Sequence, residues 1–177
     1  MIKINGAKEV NAKIKNLKNK VNLFKIKLLE TICINYSEMA KIWFSIAKYD
    51  GLNDTDVIYN ISNNKASIIA YGTSVLFIEF GTGITYSATV HPLAKSSGFY
   101  PSTWSLSEKG KGYWNSPDGW VFEMPNGGKG GDFVGIGENG EALYRTLGNP
   151  PNMILYMVSK QILKDLPKIS KQVWRNL

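Results

Sequence analysis

An apolar residue recurs every three or four positions between residues 10 and 46, and no proline or glycine interrupts residues 7–49. This period predicts one long amphipathic helix. At about 1.5 Å per residue, the helix approaches 60 Å, which is longer than a small domain is wide. Its first half is therefore expected to extend beyond its own core, and the heptad-like spacing over residues 10–28 suits packing against a neighbouring chain. The alternative is a helix that breaks within residues 16–22 and folds back.

A segment rich in strand-forming residues follows Gly51, where the helix is expected to end. Residues 57–62 and 65–71 are predicted to form two strands joined by a turn at residues 63–64. Residues 74–80 are predicted to form a third strand next to them. The wide apolar face of the long helix would cover one side of this antiparallel meander, so the fold class expected is α+β.

The third predicted strand contains the sequence Phe-Ile-Glu-Phe-Gly-Thr-Gly at residues 77–83. Gly81 and Gly83 are expected to end the strand, and Glu79 is its one acidic residue. An unpaired buried carboxylate is expensive, so Glu79 must find a cation or solvent. We expect that cation to be a lysine or arginine of a neighbouring copy or of the last helix.

Residues 84–148 have a different character, with many glycines and scattered aromatic residues. Only residues 119–124 and 141–146 show strand-like patterning, so a long ordered loop or β-arm is predicted. This many aromatic side chains would promote aggregation if all were left exposed. A partner surface is the expected place for them, and Trp114 and Trp120 are the predicted anchors.

The chain closes with a predicted helix that begins after the sequence Gly-Asn-Pro-Pro at residues 148–151. Apolar residues recur at helical spacing up to Leu166, and Pro167 is expected to interrupt or restart the helix. We therefore predict one domain over residues 1–177. Its parts are a long helix (1–49), a β-meander (52–83), an aromatic and glycine-rich insertion (84–148) and a C-terminal helix (149–177).

The net charge of +7 is divided unevenly along the chain. Residues 1–50 carry ten lysines against four acidic residues, residues 51–150 carry six basic against nine acidic residues, and residues 151–177 carry five against one. Oppositely charged patches can steer one copy of a chain onto another, or the basic part onto nucleic acid. The alternative is that the lysines only solvate the helices.

The residue types that catalysis and metal binding need are scarce. Cys33 and His91 are the single cysteine and histidine, and neither has a nucleophile or base at a suggestive spacing, so a packed thiol and a structural histidine are expected. The acidic residues show no calcium-loop spacing. The glycine pattern of residues 135–140 lacks the preceding strand and following helix that dinucleotide binding requires. We predict no enzyme activity, no cofactor and no metal.

Targeting signals are also lacking in the sequence. No run of about 18 apolar residues is present, and residues 1–5 do not begin a secretory signal. Synthesis in the cytoplasm is therefore expected.

Several short motifs occur in an order that resembles a known family. They are the Ile-Glu-Phe-Gly-Thr-Gly of residues 78–83, His91-Pro92, Gly112-Tyr113-Trp114, Gly119-Trp120, and the Thr-Leu-Gly-Asn-Pro of residues 146–150 before the last helix. The set resembles the gene-product-10-like tail-component family of long-tailed bacteriophages, over residues 71–166. Where that family often has Arg-Pro-Phe before the last helix, this chain has Asn152-Met153-Ile154.

The resemblance implies a non-enzymatic virion protein of the neck between head and tail, made in the host cytoplasm. It implies a symmetric ring with sixfold or twelvefold order that joins the head connector to the tail or completes the tail. The implied partners are further copies of the chain, head-closure or connector proteins, and tail-terminator or tail-tube proteins. DNA in the channel is a further possible contact.

Combining the residues with the resemblance, we expect the interface to include Glu79, Phe80, Gly81, Thr82, Gly83, Trp114, Trp120, Lys18 and Lys20. Three alternatives stay open. One is a tail terminator that caps the tail tube, the second is a cytoplasmic nucleic-acid-binding module that uses the lysine-rich helix, and the third is a glycan-binding surface formed by the aromatic segment.

Overall fold

The computed structural model describes residues 6–82, 91–97, 119–123 and 131–177. Its elements, in chain order, are α1 (Ala7–Ser45), β1 (Asp56–Ser62), β2 (Lys65–Tyr71), α2 (Val75–Phe80), β3 (Trp120–Glu123), β4 (Asp132–Ile136), β5 (Ala142–Thr146) and α3 (Ile154–Arg175). The fold is α+β, with a long N-terminal helix, a C-terminal helix and small antiparallel sheets, as the sequence predicts.

Helix α1 runs unbroken for 39 residues, so the predicted long helix is confirmed and the alternative with a break at residues 16–22 is wrong. It lies antiparallel to α3. The ring centroids of Phe24 and Trp174 are 5.4 Å apart, and the hydroxyl of Tyr36 donates a 2.8 Å hydrogen bond to Oδ2 of Asp165. The C-terminal end of α3 therefore lies beside the middle of α1.

Strands β1 and β2 form the predicted hairpin, paired from Asp56 with Tyr71 to Ser62 with Lys65. Asn63 and Asn64 form the turn with φ angles of 51° and 61°. Two left-handed residues are what a two-residue hairpin turn needs, and asparagine tolerates that conformation better than most side chains. The hairpin packs against α1, so its position matches the prediction.

The predicted third strand over residues 74–80 is wrong, because these residues form helix α2. Oδ1 of Asp54 accepts hydrogen bonds from both the backbone N–H and the hydroxyl of Ser74, which fixes a turn where the strand was expected to begin. Val75, Ile78 and Glu79 are then buried at helical spacing. A six-residue segment with five apolar residues cannot be assigned to a strand or a helix from its pattern alone, and here burial of Ile78 in the core decides for the helix.

The second sheet contains β3, β5 and β4 in that order, all antiparallel. The predicted strand segments 119–124 and 141–146 are confirmed with slightly shorter bounds, but they pair with each other and not with the hairpin. Strand β4 was not predicted. A bulge between Phe133 and Gly135 interrupts the alternation of inward and outward residues along β4. The sequence of this strand therefore lacks the period of two residues by which a strand is predicted.

Helix α3 continues through Pro167, so the expected interruption there is wrong. A proline inside a helix leaves the carbonyl four residues earlier without its usual donor. That residue is Leu163, which is exposed, so water can satisfy the carbonyl. The apolar face on the other side of the helix stays in register on both sides of Pro167, from Val158 to Val173, and holds the helix to α1.

The hydrophobic core lies between the C-terminal half of α1, the hairpin, α2 and the first turns of α3. Its buried members are Tyr36, Ala40, Phe44, Val57, Ile78, Ile154 and Val158. Cys33 is also buried, and burial raises the pKa of its thiol, which fits the expected packed residue. The core uses only the second half of α1, so the first half is left outside it.

Candidate assembly interface

The first part of α1, residues 7–21, forms an arm that passes beyond the end of α3. Its apolar residues Val10, Ile14, Leu17 and Val21 are all exposed, with Leu17 56% exposed. They lie on the same helical stripe as Phe24, which contacts Trp174 of α3. The arm is thus an extension of the seam that packs α3, but no described residue of the same chain covers it.

Basic side chains gather where the arm leaves α3. Lys18 and Lys20, two of the predicted interface residues, are exposed, and Nζ of Lys20 lies 5.1 Å from the ring centroid of Trp174. Lys168, Lys171 and Arg175 line a groove of about 400 Å³ in the last turns of α3. The α1–α3 pair therefore has a strongly basic end.

The three-stranded sheet presents an aromatic face, which we define as Phe122, Phe133, Ile136 and Tyr144. The rings of Phe122 and Phe133 lie on either side of Tyr144, at centroid distances of 6.5 and 5.7 Å. Phe133 is 60% exposed and Ile136 is 71% exposed. Such clustered exposed apolar groups are typical of an interaction surface.

Acidic residues lie at both ends of β4 in the same sheet. Asp132 begins β4, and Glu138 and Glu141 lie in and next to the turn that joins β4 to β5. Arg145 is the one basic residue between 131 and 147. The second sheet therefore has the opposite charge to the arm.

The arm and the aromatic face lie at opposite ends of α1. After α1 ends, the N–H of Asp50 donates a 2.6 Å hydrogen bond to Oδ1 of Asn149, and Oδ2 of Asp50 accepts one from the hydroxyl of Thr146, the last residue of β5. The sheet is thereby fixed near the C-terminal end of a helix about 60 Å long, while the arm is its N-terminal end.

Glu79, a predicted interface residue, is inside the protein and only 4% exposed. Its Oε2 accepts a 2.9 Å hydrogen bond from the N–H of Leu155, and Oε1 accepts a 3.1 Å bond from that of Tyr156. A carboxylate at a helix N-terminus satisfies free N–H groups and interacts favourably with the helix dipole. Glu79 does pair with the last helix, but through backbone donors and not through the expected lysine or arginine.

A further partner of Glu79 is His91, which is 2% exposed. Nε2 of His91 lies 3.1 Å from Oε1 of Glu79, and Nδ1 accepts a hydrogen bond from the N–H of Leu93. Since Nδ1 is an acceptor, the ring proton belongs on Nε2 and is donated to Glu79. The histidine is structural, as expected, but its pairing with Glu79 was missed. The indication of this pairing in the sequence was an acidic residue within an apolar segment of a chain that has a single histidine.

The other predicted interface residues divide into two groups. Phe80, Gly81 and Thr82 are buried within the chain, so they form no surface in the described structure. Gly83 and Trp114 lie outside the described residues, as does most of the predicted loop or β-arm. Trp120 begins β3, and its side chain also lies outside the description.

An apolar cavity of about 370 Å³ between α1, β2 and α3 is lined by residues that include Leu29, Ile32, Cys33, Ile68 and Ile162.

Within the described ranges, histidine, cysteine and acidic side chains form no group of three that could hold a metal ion. In the same ranges no helix has both the length and the apolar character that crossing a membrane requires.

No protein-family model, curated protein or solved structure matches this chain.

Proposed function

We propose that this chain is a structural component of a bacteriophage or prophage virion, which assembles as a ring in the neck or at the top of the tail and helps to join head and tail. The observation that carries the proposal is the arm. An exposed apolar stripe that continues a buried seam is suited to a partner, because the same residues stabilise a helix pair wherever a second surface covers them.

The charge and position of the exposed surfaces support a ring. A ring needs contacts between unlike surfaces of identical chains, whereas a twofold dimer uses one surface twice. The arm is basic, whereas residues 131–147 of the second sheet carry three acidic residues against one arginine, so the two regions differ in charge. The ordered motifs that resemble the phage tail-component family support the sixfold or twelvefold symmetry and the place in the neck.

The residues described also agree with a role that depends on shape and charge. Glu79 and His91, the most deeply buried ionisable pair, bind each other and the end of α3. Their hydrogen bonds maintain the fold, so the proposal assigns no reaction to them. A tail terminator that caps the tail tube is the nearest variant of the same proposal, since it too would be a ring.

The proposal is tested by the mass of the purified protein in solution, measured by light scattering over a range of concentrations and salt, with electron microscopy of any assembly. Closed rings are the expected result. A protein that stays monomeric at every concentration, and also on incubation with purified head-connector and tail-tube proteins, would contradict the proposal.

The basic end of the α1–α3 pair favours a second candidate, a nucleic-acid-binding module. Lys168, Lys171 and Arg175 line a groove in the last turns of α3, Lys20 contacts Trp174 of the same turns, and Asp165 is the one acidic residue of α3. Phosphate contacts release counterions, so binding to duplex DNA would weaken steeply with salt. Such binding by a protein that stays monomeric would favour this candidate, whereas rings without DNA binding would exclude it as the main function.

A further inference from the structure

The ring proposal leaves open which surfaces meet. We propose that the arm of one copy docks on the aromatic face of the next copy, so that each subunit contributes its arm to one neighbour and its second sheet to the other. This inference rests on the proposed function and specifies the contact that would build the ring.

The width of the arm matches the width of the aromatic face. Val10 and Val21 are eleven residues apart, which is about 16 Å along the arm. On the sheet, strands about 4.8 Å apart place Phe122 of β3 and Phe133 of β4 about 10 Å from each other. That width is the diameter of one helix. One arm can therefore lie on the face and cover its exposed rings.

Charge selects this pairing over contact between two arms. Residues 7–21 carry five lysines and one glutamate, Glu9, which pairs with Lys13. Two arms side by side would bring like charges together, which opposes association. Glu138 and Glu141 lie in and next to the turn at one end of the aromatic face, so an arm docked there brings lysines near carboxylates.

The position of the two surfaces makes the contact intermolecular. They lie at opposite ends of a helix about 60 Å long, so a chain cannot place its own arm on its own sheet. Contact between copies is then head to tail. Repetition of a head-to-tail contact gives a closed ring when the rotation between copies closes, and a filament when it does not.

The size of the contact predicts how it behaves. A footprint about 20 Å long and about 10 Å wide is small beside the roughly 800 Å² that each partner buries in a standard interface. A single arm contact is therefore weak, and closing the ring adds stability because every subunit then makes two contacts. We expect assembly to depend on concentration and rings to dissociate on dilution.

The inference is tested by complementation between two full-length variants. Leu17→Glu places a charge on the arm stripe and leaves the aromatic face intact, whereas Phe133→Asp damages the face and leaves the arm intact. Both positions are exposed, so unfolding temperatures should stay close to that of the wild type. Each variant alone is expected to be monomeric, with the dissociation constant of assembly raised at least about tenfold, which corresponds to 1.4 kcal/mol.

A mixture of the two variants distinguishes this contact from others. The intact arm of Phe133→Asp can dock on the intact face of Leu17→Glu, so dimers and nothing larger are expected. The matched control is Asn19→Glu, which adds the same charge to the opposite side of the arm and should change the dissociation constant less than about twofold.

Two outcomes would overturn the inference alone, namely rings formed by either variant by itself, or a mixture that forms no dimers even at the highest protein concentration that can be measured, while the wild type forms rings. A wild-type protein that never assembles would overturn the ring proposal as well. The proposed function and the proposed contact can therefore fail separately.

Discussion

Nε2 of His91 lies 3.1 Å from Oε1 of Glu79, and both side chains are almost wholly buried. The same carboxylate accepts two N–H groups from the first turn of α3. Glu79 thus joins three separate parts of the chain, which are α2, residues 91–97 and α3. A buried acid that satisfies so many donors holds these segments in one arrangement.

Replacing Glu79 with glutamine should destabilise the fold. The amide has one acceptor oxygen where the carboxylate has two, so one buried donor loses its partner. We predict a decrease in the free energy of unfolding of about 2–3 kcal/mol, measured by urea denaturation at pH 7. Glu38→Gln, at an exposed position of α1, is the control and should change the value by less than about 0.5 kcal/mol. Equal values for the two variants would contradict the role of Glu79.

Gly81 ends α2 at a φ of 80°, a left-handed conformation that side chains adopt at a cost. A Cβ atom there would lie 2.7 Å from the backbone nitrogen of Pro151 and 2.8 Å from the carbonyl oxygen of Asn149. Gly81→Ala should therefore lower the free energy of unfolding by about 2–3 kcal/mol. Gly140→Ala has a similar φ of 86° and no atom within 4 Å, so it isolates the backbone cost of about 1 kcal/mol. Identical losses in the two variants would show that the close approach of Gly81 to Asn149 and Pro151 is unimportant.

The hydroxyl of Tyr36 gives the fold a pH dependence in alkali. Burial, together with the hydrogen bond to Asp165, raises the pKa of Tyr36 from 10.0 to about 12. The stability from this group is complete below pH 10 and is lost as the pH rises towards 12, because the folded state resists the deprotonation that the unfolded chain undergoes.

Thermal unfolding of the wild type and of Tyr36→Phe, measured over a range of pH, tests this alkaline pH dependence of stability. We predict that the wild type is more stable by about 1 kcal/mol at pH 8, and that its advantage shrinks between pH 10 and 12. Other tyrosines ionise in both proteins, so the difference between the two reports Tyr36 alone. A difference that does not change over this range would disprove the assignment.

Asp54 gives the opposite dependence in acid. Desolvation opposes ionisation, but hydrogen bonds from the side chain of Ser74, the backbone of Thr73 and Ser74, and the hydroxyl of Thr73 outweigh it and hold the pKa of Asp54 well below its ordinary value of 3.8. The stabilisation is present above about pH 4 and is lost as the pH falls below it.

We predict that Asp54→Asn lowers the free energy of unfolding by about 1 kcal/mol at pH 7, an amount limited by solvent screening of an exposed group. The gap between wild type and variant should narrow as the pH is lowered from 4 to 2, when measured by urea denaturation at each pH. An unchanged gap at pH 2 would mean that the ionised carboxylate is not what fixes the turn before α2.

The long helix and the hairpin could be predicted because their signals are local. The stripe that includes Val10 and Leu28 has one period for many turns, and Asn63-Asn64 suits a tight turn by itself. Helix α2 could not be predicted, since six residues of which five are apolar fit either a strand or a helix, and burial of Ile78 decides between them. The pairing of Glu79 with His91 depends on where tertiary packing places two distant residues, which spacing does not encode. The exposure of the arm followed from its length.

Thr82 and Asn149 exchange both backbone hydrogen bonds, at 2.8 and 3.1 Å, so the segment between them begins and ends at one point. For a chain closed in this way, doubling the length between the ends changes the entropic cost of closure by only about 0.6 kcal/mol. Substitutions, insertions and deletions between these residues can therefore accumulate while the helices keep their packing, provided that buried residues such as His91, Ala94 and Thr146 are retained. A protein built like this can acquire a new binding specificity without a new fold.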